Sequence, residues 1–163
     1  MTIGKFILGV IGAFIAIYSF AVYIEVPKKY LLRAGLVGGI GGFVYLLSLE
    51  FGAGDVSASF LSALIAANVA HIFARLFKTP VTLYLIPGIL PTVPGAGMYR
   101  TVYYLITGNQ TLSGYYLIQT IEIAGGISLA IFVVDSMFRA LQKGDWKQNS
   151  LKYIRNKSGT LEP

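Results

Sequence analysis

The sequence contains no cysteine and only one histidine among its 163 residues. The lack of cysteine excludes a disulfide framework, a thiolate metal site and a cysteine nucleophile. Charged residues are scarce too: they make up 12% of the chain, against about 25% in a typical soluble domain. With 55% hydrophobic residues and a mean hydropathy of +0.69, the composition indicates one integral membrane domain.

The apolar residues fall into five runs, each long enough for a membrane-crossing helix of about 20 residues. The predicted helices are residues 6–24, 31–49, 56–77, 81–107 and 115–138. We therefore predict an all-α polytopic transmembrane bundle with about five crossings, in a single transmembrane domain of residues 1–140. Residues 141–163 are predicted to form a basic cytoplasmic tail, with Trp146 and Tyr153 lying on the anionic membrane surface.

Positive charges collect at alternate ends of these runs. Three basic residues lie around the first turn, two around the third turn and six after the last run, whereas the second and fourth turns hold none. Basic residues favour the cytoplasmic side, so this pattern predicts an outside N-terminus and a cytoplasmic C-terminus in the inner membrane. The net charge of +6 is therefore attributed to membrane topology, and no nucleic-acid partner is expected.

The fourth run is interrupted by Pro87, Pro91 and Pro94, together with three glycines. Proline removes a backbone donor and clashes with the preceding turn, so the helix must kink or break. Broken backbone at membrane depth is tolerated where protein buries it or where it lines a wet cavity. The pattern favours a discontinuous helix of the kind that forms transporter sites. A proline-kinked packing helix is the alternative, and the segment could span the membrane or re-enter it.

The candidate translocation residues follow this break. A half-helix starting after Pro94 and Gly95 would offer free amide groups and a positive dipole end to a substrate carboxylate. Arg100 would add a positive charge and Tyr99 a hydroxyl group. Pro91 belongs to the same group of candidates because it shapes the break.

Glu122 is the second charged candidate. It lies about two turns into the last predicted helix, where a carboxylate is costly unless it is paired or protonated. It could pair with Arg100, or it could titrate during transport; Arg100 could instead bind substrate or reach outward to the headgroups. Near the other end of that helix, Asp135 and Arg139 are four residues apart and are predicted to form an interfacial ion pair.

Asn68 and His71 share one face of the third predicted helix, being three residues apart. A packing histidine held by hydrogen bonds is one interpretation of His71. A proton relay through both residues is the other, because polar groups at membrane depth often mark a pathway. A lone histidine without nearby ligands indicates no metal site, and no cofactor is expected.

Four glycines in the second predicted helix form two overlapping G-x-x-x-G frames. They are Gly35, Gly38, Gly39 and Gly42. Small residues four apart form a groove that lets another helix approach closely. We predict a packing role for this groove; an ion path through it is the alternative.

The stretch from Pro91 to Tyr99 has the form P-x-x-P-G-x-x-x-Y, and Val26-Pro27 precedes a basic turn and the glycine groove. Together these features resemble the small membrane subunit of the split threonine/serine exporter family, over about residues 20–140. The resemblance implies a cargo of threonine, serine or a small dicarboxylate such as succinate. It also implies a larger partner subunit that carries a soluble domain and about five transmembrane helices.

The functional hypothesis is therefore a membrane subunit of a two-component secondary transporter that exports small polar metabolites. Glu122 or His71 would titrate if export uses the proton-motive force, and a homo-oligomer is a further option. A non-transporting scaffold or assembly subunit is the alternative hypothesis. No enzyme activity is expected, because no serine or cysteine nucleophile lies in a recognisable motif with His71.

Overall fold

In the computed structural model, the backbone is described for residues 3–158 and the side chains for residues 4–141. Every regular element in this part of the chain is helical, which confirms the predicted all-α bundle. The α-helices are α1 (Ile3–Tyr23), α2 (Lys28–Glu50), α3 (Asp55–Phe77), α4 (Thr82–Ile89), α5 (Gly95–Ile106) and α6 (Gln110–Ser158). A 3₁₀ turn, Leu90–Thr92, joins α4 to α5.

Four helices in the described chain are long and apolar enough to cross a membrane. They are Gly4–Tyr23, Lys28–Glu50, Asp55–Phe77 and Gln110–Leu141. The predicted fourth run, residues 81–107, is instead divided between α4, the 3₁₀ turn and α5. The last helix does not end at residue 138 but continues without a break to Ser158. Predictions about the tail side chains, including Trp146 and Tyr153, lie outside the described side chains.

Local sequence explains where the helices end. Pro27 precedes α2, where its missing amide costs nothing at a helix start. Lys78 adopts a left-handed conformation (φ 51°) and its amide donates to the last turn of α3, which closes that helix. Gly108 has φ +80° in the turn after α5, a conformation that glycine reaches without strain.

The bundle is built around α2 and α3. Helix α2 packs against α1, α3 and α4, whereas α6 packs against α3 and α5. One buried cluster joins α2, α3 and α4 and includes Val37, Ala70 and Tyr84. A second cluster joins α3 to α6, and we call it the apolar cluster: Ala63, Ile123, Ile127 and Ala130.

The glycine groove of α2 is filled by α1. A side chain added at Gly38 would overlap Ile17, and a Cβ at Gly42 would lie 2.6 Å from the Cβ of Ala13. Phe14 covers Gly35 in the same way, with ring carbons from 3.0 Å. In the described chain, the groove therefore serves close helix packing.

The broken segment travels along α2 and does not turn back. Near its start, the Tyr84 ring lies 6.0 Å from that of Tyr30, in the first turn of α2. Gly88 packs on Val37, halfway along α2. The turn at Pro91 then reaches the cavity wall that Tyr45 supplies near the end of α2. The segment thus passes from one end of the bundle towards the other.

Candidate functional site

A cavity of about 250 Å³ lies where the broken segment meets α2, α3 and α6. The turn from Pro91 to Pro94 forms one wall, and the start of α5 continues it. Helix α5 begins after Pro94 without a side-chain cap. The Gly95 amide donates to the carbonyl of Val93 at 2.8 Å, and the next two residues, Ala96 and Gly97, line the cavity.

One cation and one carboxylate line this cavity. The guanidinium of Arg100 lies over the ring of Tyr116, 5.3 Å from its centroid. Asp55, the first residue of α3, accepts a hydrogen bond of 3.1 Å from Gln119 Nε2. Tyr45, from α2, lines the cavity beside it. Gln119 therefore holds the carboxylate of Asp55 in place, and the positively charged Arg100 lines the same cavity.

The cavity also contains a hydroxyl that no described residue satisfies. Thr120 Oγ1 is buried without a hydrogen-bond partner in the described chain. It lies directly under Gly97, where an added Cβ would stand only 2.5 Å from it. Buried polar atoms are nearly always paired, so this oxygen is an unsatisfied hydrogen-bonding group beside the cavity, covered by Gly97 in this structure. The hydroxyl of Thr92, by contrast, donates to the carbonyl of Ile89 at 2.7 Å.

Some of the residues predicted around the break line the cavity and others do not. Pro91, Pro94 and Arg100 are in its wall. Gly95 begins α5, with open space where a side chain would stand. Tyr99 faces away: it is 69% exposed and stacks on Tyr103, with the ring centroids 6.1 Å apart.

Glu122 lies outside the cavity and forms no ion pair with Arg100 in the described structure. Its side chain is exposed. At 100° per residue, Glu122 stands about 200° around α6 from Thr120, which faces α5. Similar depth in the membrane is therefore not enough to bring the two charges together, because the helix turns Glu122 away from α5.

Asn68 and His71 have separate partners. Asn68 Nδ2 donates to the carbonyl of Leu64, one turn earlier in its own helix, at 2.8 Å. His71 Nε2 lies 3.6 Å from Asp135 Oδ1, at the opposite end of α3 from the cavity. The described contacts thus do not link Asn68 to His71. The predicted Asp135–Arg139 ion pair is present, at 2.6 Å.

Seven polar residues of the cavity were not among the predicted site residues: Tyr45, Asp55, Ser59, Thr92, Tyr116, Gln119 and Thr120. Asp55 lies in the turn between the second and third predicted helices, where the sequence alone gives no sign of a binding role. The hydrogen bond from Gln119 to Asp55 depends on the alignment of α3 with α6, and no short-range pattern encodes that alignment. The signal that was available is the polar pair Gln119–Thr120 inside an apolar helix.

An apolar helical bundle with a polar cavity at a helix break is typical of membrane transporters. Residues 9–137 match the family described as "Threonine/Serine exporter, ThrE". This match covers more than half of the chain, so the chain belongs to that family, and the resemblance noted in the sequence is confirmed. The family indicates a transporter-type membrane protein rather than an enzyme.

A threonine/serine exporter from Corynebacterium glutamicum is similar to this chain, with 28% identity over 134 residues. The aligned region is 82% of this chain but 25% of the relative. The chain therefore spans about a quarter of that relative's length. No solved structure matches.

Proposed function

We propose that this chain is the small membrane subunit of a two-component secondary transporter that exports small polar metabolites. The observation that carries the proposal is the cavity at the helix break, whose lining includes Arg100, Asp55 and Thr120 with its unpaired hydroxyl. At about 250 Å³ the cavity is smaller than a typical drug-sized pocket, and this size suits a metabolite of a few heavy atoms.

The charges of the cavity favour a zwitterion as cargo. Arg100 and the uncapped amides of α5 would receive a carboxylate, and Asp55 would receive an ammonium group. A hydroxy amino acid could also bond Thr120. A dicarboxylate such as succinate would place its second carboxylate near Asp55, where like charges repel. We therefore propose threonine or serine, in line with the name of the similar exporter, in preference to succinate.

The proposal includes a partner. We propose it on the resemblance to the split exporter family; this chain spans about a quarter of its relative's length. We propose a larger membrane subunit with a soluble domain and about five transmembrane helices. The two chains would assemble in the cytoplasmic membrane, with the C-terminus of this chain in the cytoplasm.

Export assays of Arg100→Gln test the proposal in cells that contain the partner. A charge-assisted hydrogen bond contributes about 1.5–3 kcal/mol, so threonine efflux should fall at least about tenfold. Arg100→Lys should retain only part of the activity, because lysine cannot offer the planar fork of arginine. Arg33→Gln is the matched control: Arg33 stacks on Phe77, 3.5 Å from the ring centroid, far from this cavity.

The control variant should export at the wild-type rate. Wild-type efflux from assembled Arg100→Gln protein would refute the substrate role of Arg100 and would favour a scaffold. The chain reconstituted alone in liposomes should give no efflux; robust efflux would remove the partner from the proposal.

A further inference from the structure

A second polar cavity, of about 420 Å³, lies at the other end of the interface between α3 and α6. Its charged lining comes from both helices: His71 and Arg75 from α3, and Asp135 and Arg139 from α6. Thr79, in the turn that leads into the broken segment, also lines it, and its hydroxyl donates to that of Tyr84 at 3.3 Å. The interface of α3 and α6 thus has a polar cavity at each end, and the broken segment borders both.

The contacts in this second cavity leave positive charge in excess. Arg139 pairs with Asp135 at 2.6 Å, and His71 lies 3.6 Å from the same carboxylate. Arg75 Nη2 donates to the carbonyl of Phe138 at 2.8 Å and stacks over its ring. Two guanidinium groups therefore face a single carboxylate. The side chain of Asp135 is 35% exposed and that of Arg139 is 74% exposed, so a solute can reach both.

The second cavity has arginine and aspartate side chains like the first. Asp135 already pairs with Arg139, so an ammonium group would share this carboxylate, while a carboxylate would meet the two guanidinium groups. A small amino acid therefore meets charged groups of both signs at either end. A neutral or purely anionic solute would leave the aspartate of each cavity without a positive group from the ligand.

The apolar cluster separates the two cavities. Ser59 and His71 are twelve residues apart on α3, as are Ile123 and Asp135 on α6. At 1.5 Å per residue, both spacings correspond to about 18 Å. Ala63, Ile127 and Ala130 lie between these levels and are buried. Since a charged solute cannot enter such packing, the cluster closes the path between the cavities in this structure.

We propose that the cavity at Asp135 is a second binding site for the same zwitterionic cargo. The interface of α3 and α6 is then the transport route, and the apolar cluster is the barrier that must open between the two sites. This inference rests on the proposed export function, which it extends by a second site at the opposite end of the bundle.

Thiol protection tests the second site, because the chain has no cysteine of its own. Single variants Thr79→Cys and Ala96→Cys report on the second and first cavity, respectively, and exposed Lys28→Cys is the control outside both. Each replaces the wild-type chain in native membranes and is labelled with a small neutral maleimide. With L-threonine at four times its Kd, mass action leaves about one fifth of the sites empty, so labelling in a cavity should slow about fivefold.

The expected result is protection of Thr79→Cys and Ala96→Cys, but not of Lys28→Cys. Adding Asp135→Asn should abolish protection at position 79 and retain it at position 96. Protection at position 96 alone would overturn the second site while leaving the proposed function intact. Protection at neither position, together with no efflux from the wild-type chain, would refute the proposed function itself. Protection of Thr79→Cys that persists with Asp135→Asn would also overturn the proposed binding mode.

Discussion

Thr120 combines two properties that rarely occur together: its hydroxyl is buried, and no described residue bonds it. Leaving such a group unsatisfied costs about 1–3 kcal/mol. This cost is offset if a bound ligand forms the missing hydrogen bond with the Thr120 hydroxyl. Under the proposed function, Thr120 is therefore the residue that we expect to distinguish a hydroxy amino acid from other zwitterions.

Thr120→Val tests this role, because valine keeps the branched shape and removes the hydroxyl. We expect threonine and serine efflux to fall about tenfold, the equivalent of one hydrogen bond of about 1.4 kcal/mol. Any alanine efflux should stay the same, because alanine has no hydroxyl to lose. The thermal stability of the purified protein should stay equal or rise slightly. Equal loss for all three amino acids would contradict a hydroxyl-specific contact.

Two charged residues line the first cavity, and the sequence pointed to only one of them. Arg100 was a candidate because it follows the proline motif directly. Asp55 was not, because its hydrogen bond to Gln119 joins helices that are distant in the sequence. Pairing of Glu122 with Arg100 was one of the sequence-based alternatives because the two lie at similar depth, whereas the rotation of α6 about its axis turns Glu122 outward. The depth of a residue in the membrane can be counted along the sequence. The direction in which its side chain points around the helix axis depends on how the helix packs against its neighbours.

The broken segment is the element that creates the first cavity. Its position was predicted well from the prolines, since each one removes a helix bond that no other residue type removes. What the sequence did not show is how closely α5 approaches α6. Gly97 allows that approach, and Ser113 Oγ on α6 donates to the carbonyl of Thr101 at 2.9 Å further along the same contact.

Gly97→Ala should separate α5 from α6, because the new Cβ would stand 2.5 Å from Thr120 Oγ1. Overpacking of this kind typically costs about 1–3 kcal/mol. Gly114→Ala is the matched control in α6: nothing lies within 4 Å of its added Cβ. Alanine is the better helix former by about 1 kcal/mol, so the control should be neutral or stabilising. The measurement is the melting midpoint in detergent, and equal shifts for both variants would contradict close packing at Gly97.

Across the whole molecule, charge is divided between the two ends of the bundle. Lys28 starts α2, and Arg75 reaches the carbonyl of Phe138, so these residues mark one end. Asp55 and Gln119 mark the other. The positive charges of the described chain gather mainly at the first end. The sequence predicted this pattern of helices and charges. It did not predict the second cavity, because that cavity depends on the long-range pairing of α3 with α6.

Reporter fusions test the proposed orientation. Fusions after Leu49 and after Thr107 should report the outside, and a fusion after Phe138 should report the cytoplasm. We expect this orientation because the basic residues gather at the end of the bundle where Lys28 and Phe138 lie, and basic residues favour the cytoplasmic side. A cytoplasmic signal after Thr107 would show that the broken segment re-enters the membrane, and the five-crossing topology would then be wrong.

Helix α6 touches both cavities and continues unbroken to Ser158. From Thr120 to Ser158 the axis measures about 57 Å at 1.5 Å per residue. Such a rod acts as a lever, so a tilt of about 5° at Thr120 would move its far end by about 5 Å. Any change in the packing of α5 on α6 at the first cavity would thereby become a displacement of the far end of the helix, well beyond the second cavity.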